Sequence, residues 1–158
     1  MIQDSGKRRE FESGAVRDIQ EGKGRCDLLP LSEVAAYLDD ETFPYSIAVD
    51  PITAIKEYIR TKEDTYIFMA LDYMADWNDN SREELVLEVA KHFEEGAKKY
   101  GERNWEKGIP THCYVDSAIR HYLKWRLGMD DENHWRATCW NLLCLAHTVN
   151  YIKEVDDL

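Results

Sequence analysis

The chain has 158 residues, a formal net charge of −11 and a hydrophobic fraction of 44%. That length and apolar content suit a single domain, residues 1–158, with a buried core. No run approaches the about 18 consecutive apolar residues of a membrane span, and the acidic balance argues against a nucleic-acid polymer, whose non-specific binding draws on clustered Lys and Arg.

The start, MIQDSGKRREFESG, has no apolar stretch of a secretory signal, which points to a cytoplasmic protein. Residues 1–30 are rich in Gly and charge and lack periodicity, so they read as an irregular arm. Ser32, followed by Val34, Ala35, Ala36 and Leu38, suggests a capped helix ending in the acidic turn Asp39, Asp40, Glu41. Pro44 and Pro51 then bracket an extended connection. From Ile52 to about Asp76, Ile55, Ile59, Tyr66, Met69, Leu71 and Met74 recur at nearly helical spacing, with a break near Thr61 to Asp64 that divides the stretch in two.

Asn78 to Ser81 form a stop and a new N-cap, with Glu83 and Glu84 in the first turn, where the helix dipole favours negative charge. The helix that follows runs to about Tyr100 on the stripe Val86, Val89, Ala90, Phe93, Ala97. Gly101 ends it, and GERNWEKGIP is a loop. Val115 to Leu127 predict a helix burying Val115, Ile119, Tyr122 and Leu123. The last helix, His134 to about Ile152, is apolar over most of its circumference and so should be central in a bundle. The fold class is therefore all-α. Cys26, Cys113, Cys139 and Cys144 form no CxxC pair and read as reduced thiols.

Chemistry is to be sought where polar groups interrupt these faces. Asn141 lies between Trp140 and Leu142, either as a core amide bonded to a carbonyl or as part of a site on the His134 face. Asp130, Asp131, Glu132, Asn133 and His134 could supply ligands to a hard divalent cation, or could simply cap a helix. Asp116 and Arg120 have the i, i+4 spacing of a surface pair, yet His121 follows directly beside the apolar face. Glu84, Glu88, His92 and Glu95 form another stripe, from which Glu88 and Glu95 could reach inward. Lys98, Tyr100, Arg103, Asn104 and Trp105 suit a nucleotide, with cations for phosphate, rings for stacking and an amide for a base edge. Gly22, Lys23, Gly24 and Arg25 resemble a phosphate-gripping arm.

Taken in order, GAVRDIQEGKGRCDLLP, FEEGAKKYGERNWEKGIP, DSAIRHYL, the acidic turn with His134, and ATCWNLLCLAH resemble the phage and bacterial dATP/dGTP diphosphohydrolases. These are small helical proteins similar to MazG-type nucleoside triphosphate pyrophosphohydrolases. The resemblance covers residues 13–30 and about 85–150, so that about 39–84 reads as an insertion. It implies a MazG-like helical bundle that hydrolyses purine deoxynucleoside triphosphates, dGTP or dATP, to monophosphate and pyrophosphate, in phage nucleotide or modified-base metabolism. It also implies Mg2+ or Mn2+ and a homo-oligomer, a dimer or tetramer.

Within the candidate helices the ExxE and ExxD pairs of the MazG signature are missing: Glu88 meets Lys91, and Glu95 meets Lys98. A catalytically inactive nucleotide-binding module is accordingly the alternative, and the ligands follow from local chemistry. Asp130, Glu132 and His134 are expected at the metal, with Glu132, Asp116, His121 and Glu95 as catalytic groups. Lys23, Arg25, Lys98, Arg103 and Arg120 would hold phosphates, and Tyr100, Asn104, Trp105 and Asn141 the nucleoside. The excess charge is uneven, since residues 26–90 hold 15 acidic and 4 basic side chains while the remainder balances.

Overall fold

The computed structural model describes residues 6–19, 21–39 and 48–158, and most of them lie in six helices. Asp40, Glu41 and Pro44, part of the expected turn and connection, lie outside the described residues. Helix α1 (Leu31–Leu38) starts at Pro30, so Ser32 sits in the first turn and caps nothing. Helix α2 (Pro51–Thr61) is capped by Asp50, whose carboxylate accepts the N–H groups of Ile52 and Thr53 at 3.1 Å. Lys62, in the left-handed region at φ 59°, ends it at the expected break, and α3 (Asp64–Trp77) follows. A full capping box of Ser81 and Glu84 starts α4 (Arg82–Tyr100).

Helix α5 (Thr111–Arg126) begins four residues before Val115, and its buried face is Thr111, Tyr114, Ala118 and Tyr122. Of the expected face Tyr122 is buried, Val115 and Ile119 are half-buried against the core, and Leu123 is 47% exposed. Both sets are apolar at helical spacing. Contact with α6 (His134–Tyr151) selects the first. Thirteen of the eighteen residues of α6 are buried, and it packs against α1, α3, α4 and α5. This is the central helix that its all-round apolarity predicts.

The stretch that reads as an insertion contributes to this core. Ile55, Tyr58, Ile67, Leu71 and Met74 are buried, and the Trp135 indole donates to the Met74 carbonyl at 2.7 Å. The four cysteines are free thiols, Cys139 and Cys144 fully buried. Among the described residues no helix is long and apolar enough to cross a membrane.

The arm has more order than its composition suggests. β1 (Arg8–Glu10) and β2 (Val16–Asp18) pair antiparallel, with Arg9 opposite Arg17; strands of three residues are too short to show an alternating pattern. Beyond them the buried Glu94 carboxylate accepts the N–H of Gly22 at 2.8 Å and of Gly24 at 2.7 Å. Gly24 also presses on α4: its φ is +84°, and a Cβ there would lie 3.0 Å from the Ala90 backbone. The Arg25 N–H donates to the Ala90 carbonyl at 2.9 Å. Burial alone would raise the Glu94 pKa, but the N–H of Gly22, the Lys98 ammonium and the N–H of Gly24 hold it below the usual carboxylate range.

In Glu94→Gln one backbone N–H would face an NH2 group instead of an oxygen. Trypsin cleavage at Lys23 and Arg25 is expected to accelerate about tenfold while the helical circular dichroism is retained, since a net loss of about 1–2 kcal/mol falls on the arm. Unchanged cleavage would show that Glu94 does not hold it.

Candidate active site

The turn between α5 and α6 brings a histidine from each helix together. His121 Nδ1 and His134 Nδ1 lie 2.9 Å apart. Glu132 Oε1 is 3.5 Å from the first and 3.7 Å from the second. Behind them Asp131 Oδ1 is 2.8 Å from His134 Nε2, whose side chain is fully buried. A carboxylate at that distance accepts the Nε2 proton, which leaves the Nδ1 lone pair of His134 toward His121. Burial pushes the His121 imidazole below its ordinary pKa, against the opposite pull of Glu132. The hydrogen bond to His134 holds the Asp131 carboxyl below its own.

Two imidazoles and a carboxylate form a donor set able to hold a divalent ion, and these three residues form the one such group among the described residues. Glu132 and His134 are thus brought together as expected, whereas His121 completes the group and Asp130 stands outside it, exposed.

Helix α4 supplies the adjoining wall. Arg136, one turn into α6, donates from Nη2 to Glu88 at 3.0 Å and from Nη1 to Glu95 at 3.1 Å. Glu88 is also held by Lys91, and these cations keep its carboxyl below the usual range, Lys91 foremost. Glu88, half-buried, and Glu95, exposed rather than inward-reaching, both meet a largely buried guanidinium, while Glu84 is engaged in the capping box.

Between them on the helix is His92, whose ring packs on Trp140 at 5.5 Å. Burial, helped by Arg136 and His121, lowers its pKa to about 4, so it is neutral at pH 7. The unfolded chain, with a His pKa of about 6.5, takes up this proton first. His92 therefore favours folding fully above about pH 6.5, and the contribution is lost as the pH falls toward 4. Chemical denaturation should show a loss of about 2 kcal/mol from this group between pH 8 and pH 5. A His92→Gln chain should be flatter over that interval by the same amount. An identical slope in the two proteins would remove the assignment.

His92 also lines a cavity of about 350 Å³ bounded by Phe93, Tyr100, Arg103, Asn104, Trp105 and Trp140, with Leu28 of the arm. Its volume is within the about 300–1,000 Å³ of small-molecule sites. Two of its wall residues carry buried ring nitrogens that lack a hydrogen-bond partner, His92 Nδ1 and Trp105 Nε1. The loop that forms the far wall is tied to the arm, because Arg103 donates to the Asp27 carbonyl at 2.8 Å and Arg25 to Glu102 at 2.7 Å.

Tyr100, Arg103, Asn104 and Trp105, expected to hold nucleotide, are thereby gathered at one cavity. The remaining expected residues are placed elsewhere. Asn141 is buried and donates to the Ala137 carbonyl at 2.8 Å, the core-amide arrangement. Asp116 and Arg120 pair with each other on the exposed side of α5. Lys98 is engaged by Glu94, Lys23 by Asp18, and Arg25 by Asp27 and Glu102.

A family model described as dATP/dGTP diphosphohydrolase, N-terminal, matches residues 77–158. The chain belongs to this family. The matched stretch holds α4, α5, α6 and the whole histidine cluster, and leaves out the arm, α1, α2 and nearly all of α3. The family's description points to nucleotide hydrolysis. No curated protein and no solved structure matches the chain.

Proposed function

We propose that the chain hydrolyses purine deoxynucleoside triphosphates to the monophosphate and pyrophosphate with a divalent metal ion. The observation that carries this reading is the position of His92: it lines the nucleoside-sized cavity, and on α4 it stands within about one turn of Glu88 and Glu95, both bound by Arg136, two residues after His134 of the cluster. A nucleotide with its base in the cavity would thus direct its phosphates toward the histidine cluster.

In that pose Trp105, Tyr100 and Trp140 supply ring faces to the base. Asn104, also on the cavity wall, would offer an amide to a base edge. Arg103, which lines the cavity, and Arg136, bound to Glu88 and Glu95, would supply cations to the phosphates. A divalent ion held by His121, Glu132 and His134 would supply Lewis acidity at the phosphate oxygens.

Water attacks the α-phosphorus, and the bond from that phosphorus to the bridging oxygen breaks, so that pyrophosphate leaves with the oxygen. Glu95, held through Oε1 by Arg136, takes the proton of that water and returns it to solvent. The exposed Trp77, Leu127 and Met129 favour the homo-oligomer that the family resemblance implies.

Chromatography of dGTP and dATP incubated with protein and Mg2+ or Mn2+ tests the reading. Equal amounts of monophosphate and pyrophosphate are expected. Release of orthophosphate, or of intact tripolyphosphate with free nucleoside, would reject the mechanism.

A further inference from the structure

The donor atoms of the histidine cluster narrow the choice of ion. Three distances define a triangle: 2.9 Å between the two Nδ1 atoms, and 3.5 and 3.7 Å from them to Glu132 Oε1. The point equidistant from its corners is about 2.0 Å from each, and bonds of Zn2+ to imidazole and carboxylate run at about 2.0–2.2 Å. A small movement out of the plane therefore gives an ion ordinary bonds to all three side chains without displacing any of them.

Two of the three donors are imidazole nitrogens. First-row transition ions bind such nitrogens with affinities rising from Mn2+ toward Cu2+, whereas Mg2+ requires oxygen and keeps its water. The environment of the rings agrees with a ligating role. Nitrogens 2.9 Å apart admit one hydrogen between them, so at least one lone pair is already presented. Asp131, by accepting from Nε2, sets His134 in the tautomer whose Nδ1 can ligate and fixes the plane of a ring that has no solvent exposure.

We infer that His121, Glu132 and His134 form a site for a nitrogen-seeking first-row transition ion such as Mn2+, Co2+ or Zn2+, which Mg2+ fills poorly, and that Asp131 is its positioning residue. This names the ion of the activity proposed above and rests on that reading for its role in the reaction. The binding itself is independent of any nucleotide.

The test therefore uses the full chain, freed of metal by a chelator and without nucleotide, titrated with Co2+ and followed by its visible ligand-field absorption. One ion per chain is expected, retained against about a hundredfold excess of Mg2+ and displaced by Zn2+. His121→Gln and Glu132→Gln, at positions that are not fully buried, should each weaken binding at least tenfold while keeping the helical circular dichroism. Asp131→Asn should weaken it about 10- to 100-fold, and Asp131→Glu should recover part of the loss.

Displacement by equimolar Mg2+, absence of Co2+ binding by the folded chain, or unchanged binding in the His121 and Glu132 variants would overturn the site. Wild-type affinity in Asp131→Asn would overturn the role of Asp131. A chain that turns over dGTP with Mg2+ alone and binds no Co2+ keeps the proposed function and loses this inference. A chain that binds Co2+ through these residues and leaves every nucleotide intact does the reverse.

Discussion

Glu132→Gln is expected to lower kcat/KM for dGTP about a thousandfold while moving the melting temperature little. The side chain is half exposed and packs into no core, so its removal costs the fold almost nothing. Its carboxylate nevertheless faces both ring nitrogens of the cluster, and the charge stabilisation that a metal centre gives to phosphoryl transfer amounts to several kcal/mol, or about three decades in rate. Asp130→Asn is the control two residues away. It removes the same charge from the same turn, but Asp130 is outside the triangle, and turnover within about twofold of wild type is expected. Steady-state kinetics at a fixed metal concentration decide between the two residues. Equal losses in both would mean that only the overall acidity of the turn matters.

That contrast marks the limit of what could be read from the residues. The start of α4 was legible, with Ser81 as its cap and acids in its first turn, where the structure has a capping box of Ser81 and Glu84, whereas the same kind of signal at Ser32 caps nothing. The centrality of α6 followed from its composition. Of the cations, rings and amide that the sequence gathers within a few residues of the loop, four line one cavity.

Choices between neighbours were not legible. Glu94 and Glu95 differ only by a step of 100° around α4, yet one clamps the arm and the other meets Arg136. Asp130 and Asp131 are separated in the same way by the path of a turn. Arg136 gave no local sign of its role, because its partners Glu95 and Glu88 are 41 and 48 residues away in sequence. The faces of α5 were equally apolar, and only the position of α6 distinguishes them.

Asp72→Ala should be strongly destabilising, at about 3–5 kcal/mol, the range for removing one partner of a buried ion pair. Asp72 is 8% exposed. It accepts the Tyr37 hydroxyl at 2.7 Å, and Arg82 Nε and Nη2 at 2.9 and 2.7 Å. The same guanidinium donates to the Tyr37 carbonyl at 2.6 Å and lies over the Tyr37 ring at 4.6 Å. One carboxylate thus joins α1, α3 and the start of α4. Its loss leaves a fully buried phenol and a mostly buried cation without that acceptor.

Because Arg82 retains a partial path to water, the lower part of the range applies, which is a fall of about 10 °C in melting temperature for a domain of this size. Tyr37→Phe removes a single neutral donor and should cost only about 1 kcal/mol. Asp72→Asn keeps an oxygen acceptor and should fall between the two. Denaturant titration of the three variants also tests the domain division. Asp72 precedes the stretch that matches the family, within the segment that reads as an insertion. An insertion folded apart from the bundle would lose its own transition in Asp72→Ala and leave that of α4 to α6 intact. A single cooperative transition that shifts as a whole is expected, because the acid on α3 and the guanidinium it holds on α4 belong to one core.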